Sequence, residues 1–530
     1  MNLKVVISIV TAAIVIAGGA LALSVTGFFA PAEDDALDLI PRDAAIYVNV
    51  FLDPSPSQKL ALDDLLAHFP QARDRDAARD RLVELLDQGL AGVGLTFEDD
   101  IEPWLGDQLA FFMMAPASVN ATPPLALLIE ADDVDAALDA VAKAQANDGS
   151  SFTARTYKGI DYEVADSGDA VGAIESFVVS GSEAGVKAAI DAAEGESLAS
   201  SERFERATAD LEEDRLALGY FDFAPFARLG TFGPGATLGG PFNPANQGPT
   251  AFILYARSDA LVSEASSDIP DDVEAGGFVR GLAAESKVLA ELPGDAWFAA
   301  GAARFGDSLR DLLAAFEDAF AQAPGGAFPG LDPGSLIQGL EAQIGLSLEA
   351  DLLSWMGDAG FFVSGDSLQA LQGGALFEAT DPKVARDALA RIEGAIRKLG
   401  APVQNARVAG ADAGFALQEP GMPQPINIVA AGDRVVAVFG SSATSDAIGG
   451  SARLGDQVIY RQARDALGDG YSLSGFADLE QIVAFANQVA LAQVDAAEDI
   501  NAWLEPLSYV SFGAKTEGDS IVQRLIIGVR

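Results

Sequence analysis

The 530-residue chain contains no cysteine and only one histidine, His68. Without cysteine, neither a disulfide framework nor a lipid-modified cysteine anchor can form. Zinc and redox-metal sites depend mainly on cysteine and histidine, so such sites have almost no ligands here. A serine nucleophile needs a nearby histidine base, and His68 lies at the end of a predicted helix, where a structural role is typical.

Basic residues are also scarce. The chain has 33 Lys and Arg against 78 Asp and Glu, which gives a formal net charge of −45. Such a field repels phosphate backbones and anionic lipid headgroups, so we expect no nucleic acid partner. The acidic residues are spread along the chain, which favours a solvating surface over one cation site. A saline habitat would favour the same surface.

Catalytic motifs are equally scarce. The string GDSL, which also names a family of serine esterases, occurs at Gly306–Leu309 and Gly365–Leu368. Neither string has the setting that those enzymes require, and a G-x-S-x-G elbow and a phosphate loop ending in Gly-Lys are absent from the sequence. We therefore predict no catalytic, cofactor-binding or metal-binding residue, no cofactor, and no enzymatic activity.

Acidic residues form small groups that could hold calcium or perform acid-base chemistry. The two groups are Glu98, Asp99 and Asp100, and Glu130, Asp132 and Asp133. Both lack the alternating spacing and central glycine of a calcium loop, so helix capping explains them better. Asp100 and Asp107 form one of several carboxylate pairs that a hydrolase could use. With so many acidic residues, such pairs are unavoidable.

The amino terminus carries an apolar segment. Val5–Leu23 has no charge and is long enough to cross a bilayer as a helix. Lys4 precedes it and acidic residues follow, so the positive-inside rule places the chain after about Phe29 outside the cytoplasm. We predict an uncleaved signal anchor over residues 1–30 of a single-pass cell-membrane protein. The alternative is cleavage at a small-residue site near Ala22 or Ala32, which would give a secreted protein.

One segment occurs twice. GLTFEDDIEPWLGDQLAFF begins at Gly94, and GLSLEADLLSWMGDAGFFV begins at Gly345, an offset of 251 residues (345 minus 94). The offset aligns Trp104 with Trp355, and both tryptophans are more typical of core anchors than of ligand platforms. The duplication predicts two tandem homologous repeats.

Each repeat reads as a strand, helices, several short strands with intervening helices, and a closing hairpin. This order predicts an α+β fold with antiparallel sheet and helices packed on one side. Asp132 and Asp133 are predicted to cap the helix Val134–Ala144, and Asp381 with Pro382 begins its counterpart. The predicted segments are an anchor helix (1–30), a polar stalk (31–39), the first repeat (40–270), a connecting segment (271–290) and the second repeat (291–530).

Three segments carry a family resemblance. Ile40–Ala44, Asp100–Asp107 and the helix after Glu183 resemble an uncharacterised bacterial family, domain of unknown function 3352. The acidic-x-x-x-Trp-hydrophobic-Gly pattern is its most specific element, and Ser354 departs from it where the first repeat has Pro103. The resemblance implies a membrane-anchored, extracytoplasmic α+β protein. It implies no activity, cofactor or catalytic residue.

The favoured functional hypothesis is a non-enzymatic binding or scaffold module of the bacterial envelope. Its partners would be the membrane, through the N-terminal helix, and an envelope protein or hydrophobic ligand. One alternative is a carrier that holds a lipid in a sheet-lined cavity, which apolar residues such as Leu95, Phe97 and Phe111 motivate. A second alternative is a carboxylate-based hydrolase, which predicts a cleft with a close carboxylate pair of raised pKa.

Overall fold

The computed structural model describes residues 33–148, 151–229, 248–269, 281, 283–321, 333–418, 421–450, 452–489 and 497–530. The chain divides into two compact units. Unit 1 comprises Met1–Phe232 and Gly248–Asp268, and unit 2 comprises Gly233–Gln247 and Ile269–Arg530. The predicted anchor over residues 1–30 lies outside the described residues. Within the described ranges, no helix is long and apolar enough to cross a membrane.

Unit 1 contains ten described strands in one antiparallel sheet. They are β1 (Ile46–Phe51), β2 (Leu105–Met113), β3 (Leu125–Ala131), β4 (Phe152–Tyr157), β5 (Ile160–Ala165), β6 (Asp169–Ile174), β7 (Phe177–Ser182), β8 (Ala217–Phe221), β9 (Thr250–Arg257) and β10 (Ala260–Asp268). Their order across the sheet is β4-β5-β6-β7-β3-β2-β1-β8-β9-β10. The helices are α1 (Pro56–Leu66), α2 (Arg75–Leu90), α3 (Phe97–Asp100), α4 (Val134–Asp148), α5 (Glu183–Ala193), α6 (Glu202–Thr208) and α7 (Ala224–Arg228).

Unit 2 has the same strand order as unit 1. Its strands are β11 (Ala296–Ala302), β12 (Met356–Ser364), β13 (Gln372–Ala379), β14 (Val403–Asn405), β15 (Ala413–Leu417), β16 (Ile426–Ala431), β17 (Arg434–Phe439), β18 (Ser472–Asp478), β19 (Leu507–Glu517) and β20 (Ser520–Val529). They are arranged as β14-β15-β16-β17-β13-β12-β11-β18-β19-β20, again antiparallel throughout. The helices are α8 (Phe305–Ala321), α9 (Pro333–Ile344), α10 (Pro382–Lys398), α11 (Ser441–Gly449), α12 (Val458–Ala466), α13 (Leu479–Val489) and α14 (Ala497–Leu504).

The fold is α+β with antiparallel sheet, as predicted, but the expectation that helices pack on one side is wrong for unit 1. Leu127 and Ile129 of β3 belong to an apolar cluster with α2. Their neighbours Ala126 and Leu128 point to the opposite face and are fully buried, and α5 packs against β3, β6 and β7. The uninterrupted apolar run of β3 is typical of a strand that is buried on both faces.

Helix starts follow the sequence signals. Asp381 accepts hydrogen bonds from the amides of Lys383 (2.9 Å) and Val384 (3.1 Å), with Pro382 at the first helical position, which confirms the predicted cap. Asp133 accepts from the Ala136 amide at 3.1 Å at the start of α4. Both carboxylates satisfy amides that have no partner within the helix, and both place negative charge at the positive end of its dipole.

The two units differ by one residue in the strand that follows the repeated tryptophan. Three residues of β2 (106–108) lie opposite Glu130, whereas two residues of β12 (357–358) lie opposite Glu378. After this bulge the offset between the units is 250 rather than 251. Phe111 therefore corresponds to Phe361, not to Phe362, because a one-residue shift moves a side chain to the other face of the sheet.

Candidate functional site

A row of positions crosses the sheet of unit 2 and leaves an apolar depression at its centre. Strand pairing connects, in order, Phe361 of β12, Ala300 of β11, Gly475 of β18, Phe512 of β19 and Leu525 of β20. Directly paired residues share one face, so these positions form a continuous row. At roughly 4.8 Å between strands, the row is about 19 Å long. We call it the apolar trough.

The trough is bordered by exposed apolar side chains. The large residues of the row and its flank are between 36% and 42% exposed, and they are Phe298, Phe361, Phe512 and Leu525. The positions between the two phenylalanines of the row carry only the methyl group of Ala300 and the hydrogen of Gly475. An alternation of large and small residues across neighbouring strands thus makes a depression without charged members.

The same row is filled in unit 1. A Cβ atom built on Gly219 would meet the ring of Phe252 at 2.1 Å, so this ring lies over the glycine. Phe221 stacks on Phe252 with 5.5 Å between ring centroids. In unit 2, a Cβ atom on Gly475 would meet, among the described residues, only Phe512 Cβ, at 3.4 Å. The counterpart of Phe221 is Ala477, so no described ring covers the glycine of unit 2.

Sequence reasoning missed the trough, although the signal is present. The matched segments GYFDF (from Gly219) and GFADL (from Gly475) differ at the third position, where Phe221 corresponds to Ala477. The loss of one ring from an arrangement that occurs in both units predicts a depression only once the face of each strand residue is known. The pattern alone does not specify which residues lie beside this position in the sheet.

A second unusual group lies at the bulge of unit 1. The pKa of Glu130 is raised from 4.5 to about 7, mainly by burial and also by the carboxylates of Asp107, Asp35 and Asp132. Burial also raises the pKa of Asp107, with Asp53 as the largest electrostatic contributor. The Glu130 Oε2 atom is buried without a hydrogen-bond partner among the described residues. We call this group the acidic bulge.

The corresponding carboxylates of unit 2 have other surroundings. Asp358 accepts hydrogen bonds from the amides of Lys287 (2.8 Å) and Arg304 (2.9 Å). Glu378 lies directly across the strand pair from Arg434, whereas the partner of Glu130 is Phe177. The acidic bulge is therefore a feature of unit 1 alone. Lys59, which pairs with Asp53, lowers the pKa of Asp107.

The acidic bulge can bind or release a proton near neutral pH, because a carboxyl group with a pKa of about 7 titrates there. In the described part of the chain, no three histidine or acidic side chains are arranged to hold a metal ion. Two of the cavities that described residues line lie in unit 1. One, of about 510 Å³, runs along α2, and the other, of about 430 Å³, is lined by residues that include Arg203, Tyr220 and Asp222. Neither is lined by Asp107 or Glu130.

The cavity beside Tyr220 is polar. Arg203 forms an ion pair with Asp222 at 2.7 Å, and the Asp222 carboxylate also accepts from the Ala224 amide at 3.1 Å. Burial raises the pKa of Tyr220 to about 12, so its hydroxyl stays protonated at neutral pH. Because these groups already pair with one another, the cavity offers a hydrophobic ligand little apolar surface.

The candidate residues of the repeated segment have structural partners. The Trp104 indole donates to the Asp100 carbonyl at 2.5 Å, and the Trp355 indole donates to the Asp351 carbonyl at 2.9 Å. Both rings are buried, at 4% and 1% exposure. The Asp100 carboxylate accepts from Lys143 and from the Thr96 amide, and its pKa is lowered. It does not share the environment of Asp107, so the structure does not present these two as an acid-base pair.

The remaining candidates also occupy structural positions. The His68 amide donates to the Leu65 carbonyl just after α1 ends. Ser308 of the first GDSL string lies in the first turn of α8 and is 9% exposed. Ser367 of the second string accepts a hydrogen bond from the Ala370 amide at 3.3 Å. Glu98 pairs with Arg79 on the surface.

Comparisons with known proteins add a family match. A family model described as "Protein of unknown function (DUF3352)" matches residues 5–413, which confirms the resemblance found in the sequence. No curated protein matches the chain. Crystal form I of TP0453 has 12% sequence identity and a TM-score of 0.25, and the match covers 46% of this chain and 82% of that chain. For crystal form III of TP0453, the corresponding values are 13%, 0.24, 45% and 82%.

Proposed function

We propose that this chain, which belongs to the DUF3352 family of proteins of unknown function, is a non-enzymatic binding module held outside the bacterial cytoplasm by its N-terminal segment. The apolar trough of unit 2 is the observation that carries the proposal. Large exposed apolar side chains around an empty, uncharged centre are typical of a surface that binds an apolar partner. The ligand is then an apolar chain, such as an acyl chain.

The energy available at the trough is sufficient for useful affinity. If binding covers about 80 Å² of one exposed phenylalanine ring, the gain is about 2 kcal/mol at ~25 cal/mol per Å². A loss of about 2 kcal/mol corresponds to roughly 30-fold in affinity. Removal of one wall of the trough should therefore give a measurable change.

The likeness of the two units also supports a binding role. We infer that they are homologous repeats, because they share strand order and the matched tryptophans Trp104 and Trp355. The row across the sheet is covered by an aromatic ring in unit 1, whereas no described ring covers its centre in unit 2. This difference between two copies of one fold is consistent with a surface adapted for a ligand. The uncompensated carboxylates lie in unit 1, and the trough lies in unit 2.

The trough can be tested by filling it. Gly475→Val should weaken binding of Nile red, a neutral hydrophobic probe, by about 10- to 30-fold, because the valine occupies the open centre. Its Cβ atom meets nothing closer than 3.4 Å, and a β-branched residue suits a strand, so folding should not suffer. Phe512→Thr should have a similar effect by removing a wall. Fluorescence titration of the full chain in neutral detergent measures both.

Leu368→Thr is the matched control, since Leu368 is 57% exposed and lies in the turn after β12, away from the row. Its affinity for Nile red should equal that of the wild type. Equal affinity of all variants would contradict the proposed surface. If the proposal is correct, native mass spectrometry of the wild type extracted from its own membrane should detect a bound hydrophobic molecule. The Gly475→Val variant should lack this molecule. A co-extracted protein instead would indicate a scaffold role.

The anchor is tested separately. If residues 1–30 remain as a membrane helix, the full chain should stay in the membrane fraction after carbonate washing, and mass spectrometry should detect the N-terminal residues. A soluble product that begins after Ala22 or Ala32 would show that the segment is a cleaved signal peptide. The binding proposal does not depend on which outcome is found.

The two alternative functions have weaker support. A lipid carrier of the enclosed type needs an apolar cavity, and the two cavities described above are lined mainly by charged and polar residues. A carboxylate hydrolase is favoured by the raised pKa of Glu130 and Asp107, but neither residue lines these cavities. The open trough needs neither an enclosed cavity nor acid-base chemistry.

A further inference from the structure

The segment that follows the predicted anchor is bound to the sheet of unit 1. It forms a short 3₁₀ turn, Asp35–Leu39, in which Ala36 and Leu39 are 0% and 1% exposed. The Gln108 amide donates to the Glu33 carbonyl at 2.8 Å, and the Ala36 amide donates to Gln108 Oε1 at 3.4 Å. Residues 33–39 of the predicted polar stalk thus pack against the sheet instead of extending from it.

Asp34 is the centre of this attachment. Its Oδ1 atom accepts hydrogen bonds from the Tyr47 hydroxyl at 2.5 Å and from the Asn49 side-chain amide at 2.8 Å. Tyr47 and Asn49 of β1 are both 0% exposed. The Asn49 side-chain amide also donates to Gln108 Oε1 at 3.0 Å, so the carboxyl group is held in a small polar cluster on the sheet.

Two oxygen atoms of this group have no hydrogen-bond partner among the described residues. They are Asp34 Oδ2 and Asn49 Oδ1, and both are buried. An ionised carboxylate and an amide oxygen can only accept hydrogen bonds, so they cannot satisfy each other. A proton on Asp34 Oδ2 would supply the missing donor. A carboxylic acid and an amide can then pair reciprocally, each donating to the other.

We propose that Asp34 is a proton-operated latch that holds residues 33–39 on unit 1 when it is protonated and loosens them when it ionises. The latch lies in unit 1 and does not depend on the binding surface of unit 2. It controls how firmly unit 1 is joined to the chain that leads to the predicted anchor. When residues 33–39 are bound to the sheet, the chain between the anchor and unit 1 is short. When they are released, the chain is longer and unit 1 can lie farther from the anchor.

The ionisable groups that act on Asp34 are Tyr47 of β1 and Arg215 of the segment before β8. From β2, the neutral Gln108 faces the turn, and the buried side chains of α5, which packs against the turn, are apolar. Burial is the largest influence and raises the pKa of Asp34, while Tyr47, Arg215 and Asn49 oppose it. A raised pKa stabilises the latch at low pH and loses that stability as the pH rises.

Hydrogen exchange of the full chain in neutral detergent tests the latch. After correction for intrinsic rates, the amides of residues 36–40 should exchange about tenfold faster at pH 8 than at pH 5, because a buried hydrogen-bonded group is lost. Asp34→Asn keeps a neutral side chain at this position and should remove the pH dependence while keeping protection. Asp38→Asn, at an exposed neighbour, should behave like the wild type.

Three results would overturn the latch. In the first, the amides of residues 36–40 of the wild type are equally protected from exchange at both pH values. In the second, the Asp34→Asn variant has the same pH dependence as the wild type. In the third, the Asp34→Asn variant is unprotected at both pH values. The last would mean that an ionised Asp34, paired with Arg215, holds the segment. If Asp34→Asn does not fold, Tyr47→Phe serves instead. It removes a hydrogen bond to the charged form, so release should move to higher pH, and an unchanged midpoint would refute the proposal.

Discussion

Trp355→Ala should lower the free energy of unfolding of unit 2 by about 3–5 kcal/mol. The ring is 1% exposed and packs with a cluster that includes Ala379, Leu389 and Val435. It also meets Phe377 edge to face, with 6.4 Å between ring centroids. Truncation leaves a cavity and removes the indole donor from the Asp351 carbonyl, and both effects lower stability.

Urea unfolding monitored by circular dichroism measures this change, with Trp503→Ala as the matched control. Trp503 is 44% exposed, so its replacement should cost less than about 1 kcal/mol. Trp104→Ala should destabilise unit 1 as Trp355→Ala destabilises unit 2, since Trp104 is 4% exposed. Similar small losses for all three variants would mean that the repeated tryptophans are not core anchors.

Glu130→Gln should make unit 1 more stable than the wild type by about 2–3 kcal/mol above pH 8, and should have no effect near pH 4. The pKa of Glu130 is raised from 4.5 to about 7 in the folded protein. A raised pKa means that the folded state holds its proton more tightly. Stability is then complete below pH 4.5 and is lost as the pH rises through about 7. Glutamine mimics the protonated side chain at every pH.

Urea unfolding between pH 4 and pH 9 measures the difference between the two proteins. Glu378→Gln is the control, because Glu378 lies across the strand pair from Arg434 and should gain nothing from neutralisation at high pH. A stability difference between wild type and Glu130→Gln that does not change with pH would show that Glu130 is ionised normally. An equal gain in Glu378→Gln would attribute the effect to net charge.

Substitutions in the shared core and substitutions in the bulge or the trough should have different effects in the two units. The two units share strand order and the buried tryptophans, and they differ at the bulge and in the row that crosses the sheet. Matched substitutions in the two units should therefore agree at the core and differ at Glu130 and Gly475. A binding protein built on a repeated fold would show this pattern. Packing limits which residues the core can accept, whereas the ligand limits which residues the trough can accept.

Local signals predicted the elements well. The helix predicted over Val134–Ala144 begins at Val134 and ends at Asp148, four residues later than predicted. The hydrogen bonds at Asp381 follow from its position before Pro382. Helix starts and strands of this kind depend on neighbouring residues, and these are readable from the chain. The burial of β3 on both faces was not predicted, because its apolar run was assigned only to a strand.

Features that depend on neighbours across the sheet escaped prediction. The bulge at residues 106–108 shifts the correspondence between the units by one residue, and no local pattern marks it. The trough needs Phe361, Gly475 and Phe512 to lie side by side, although they are far apart in the sequence. The burial of Asp34 against Tyr47 and Asn49 likewise replaced a predicted stalk.

The residue pattern alone specified the α+β class, the two matched tryptophan segments and the helix starts after Asp133 and Asp381. These properties follow from composition and from interactions between residues close in the chain. The tertiary structure decided which carboxylates lose solvent, which glycine is left uncovered, and which of two adjacent phenylalanines points to each face. Strand register sets all three. A shift of one residue reverses every side chain, so register emerges only when the whole sheet packs.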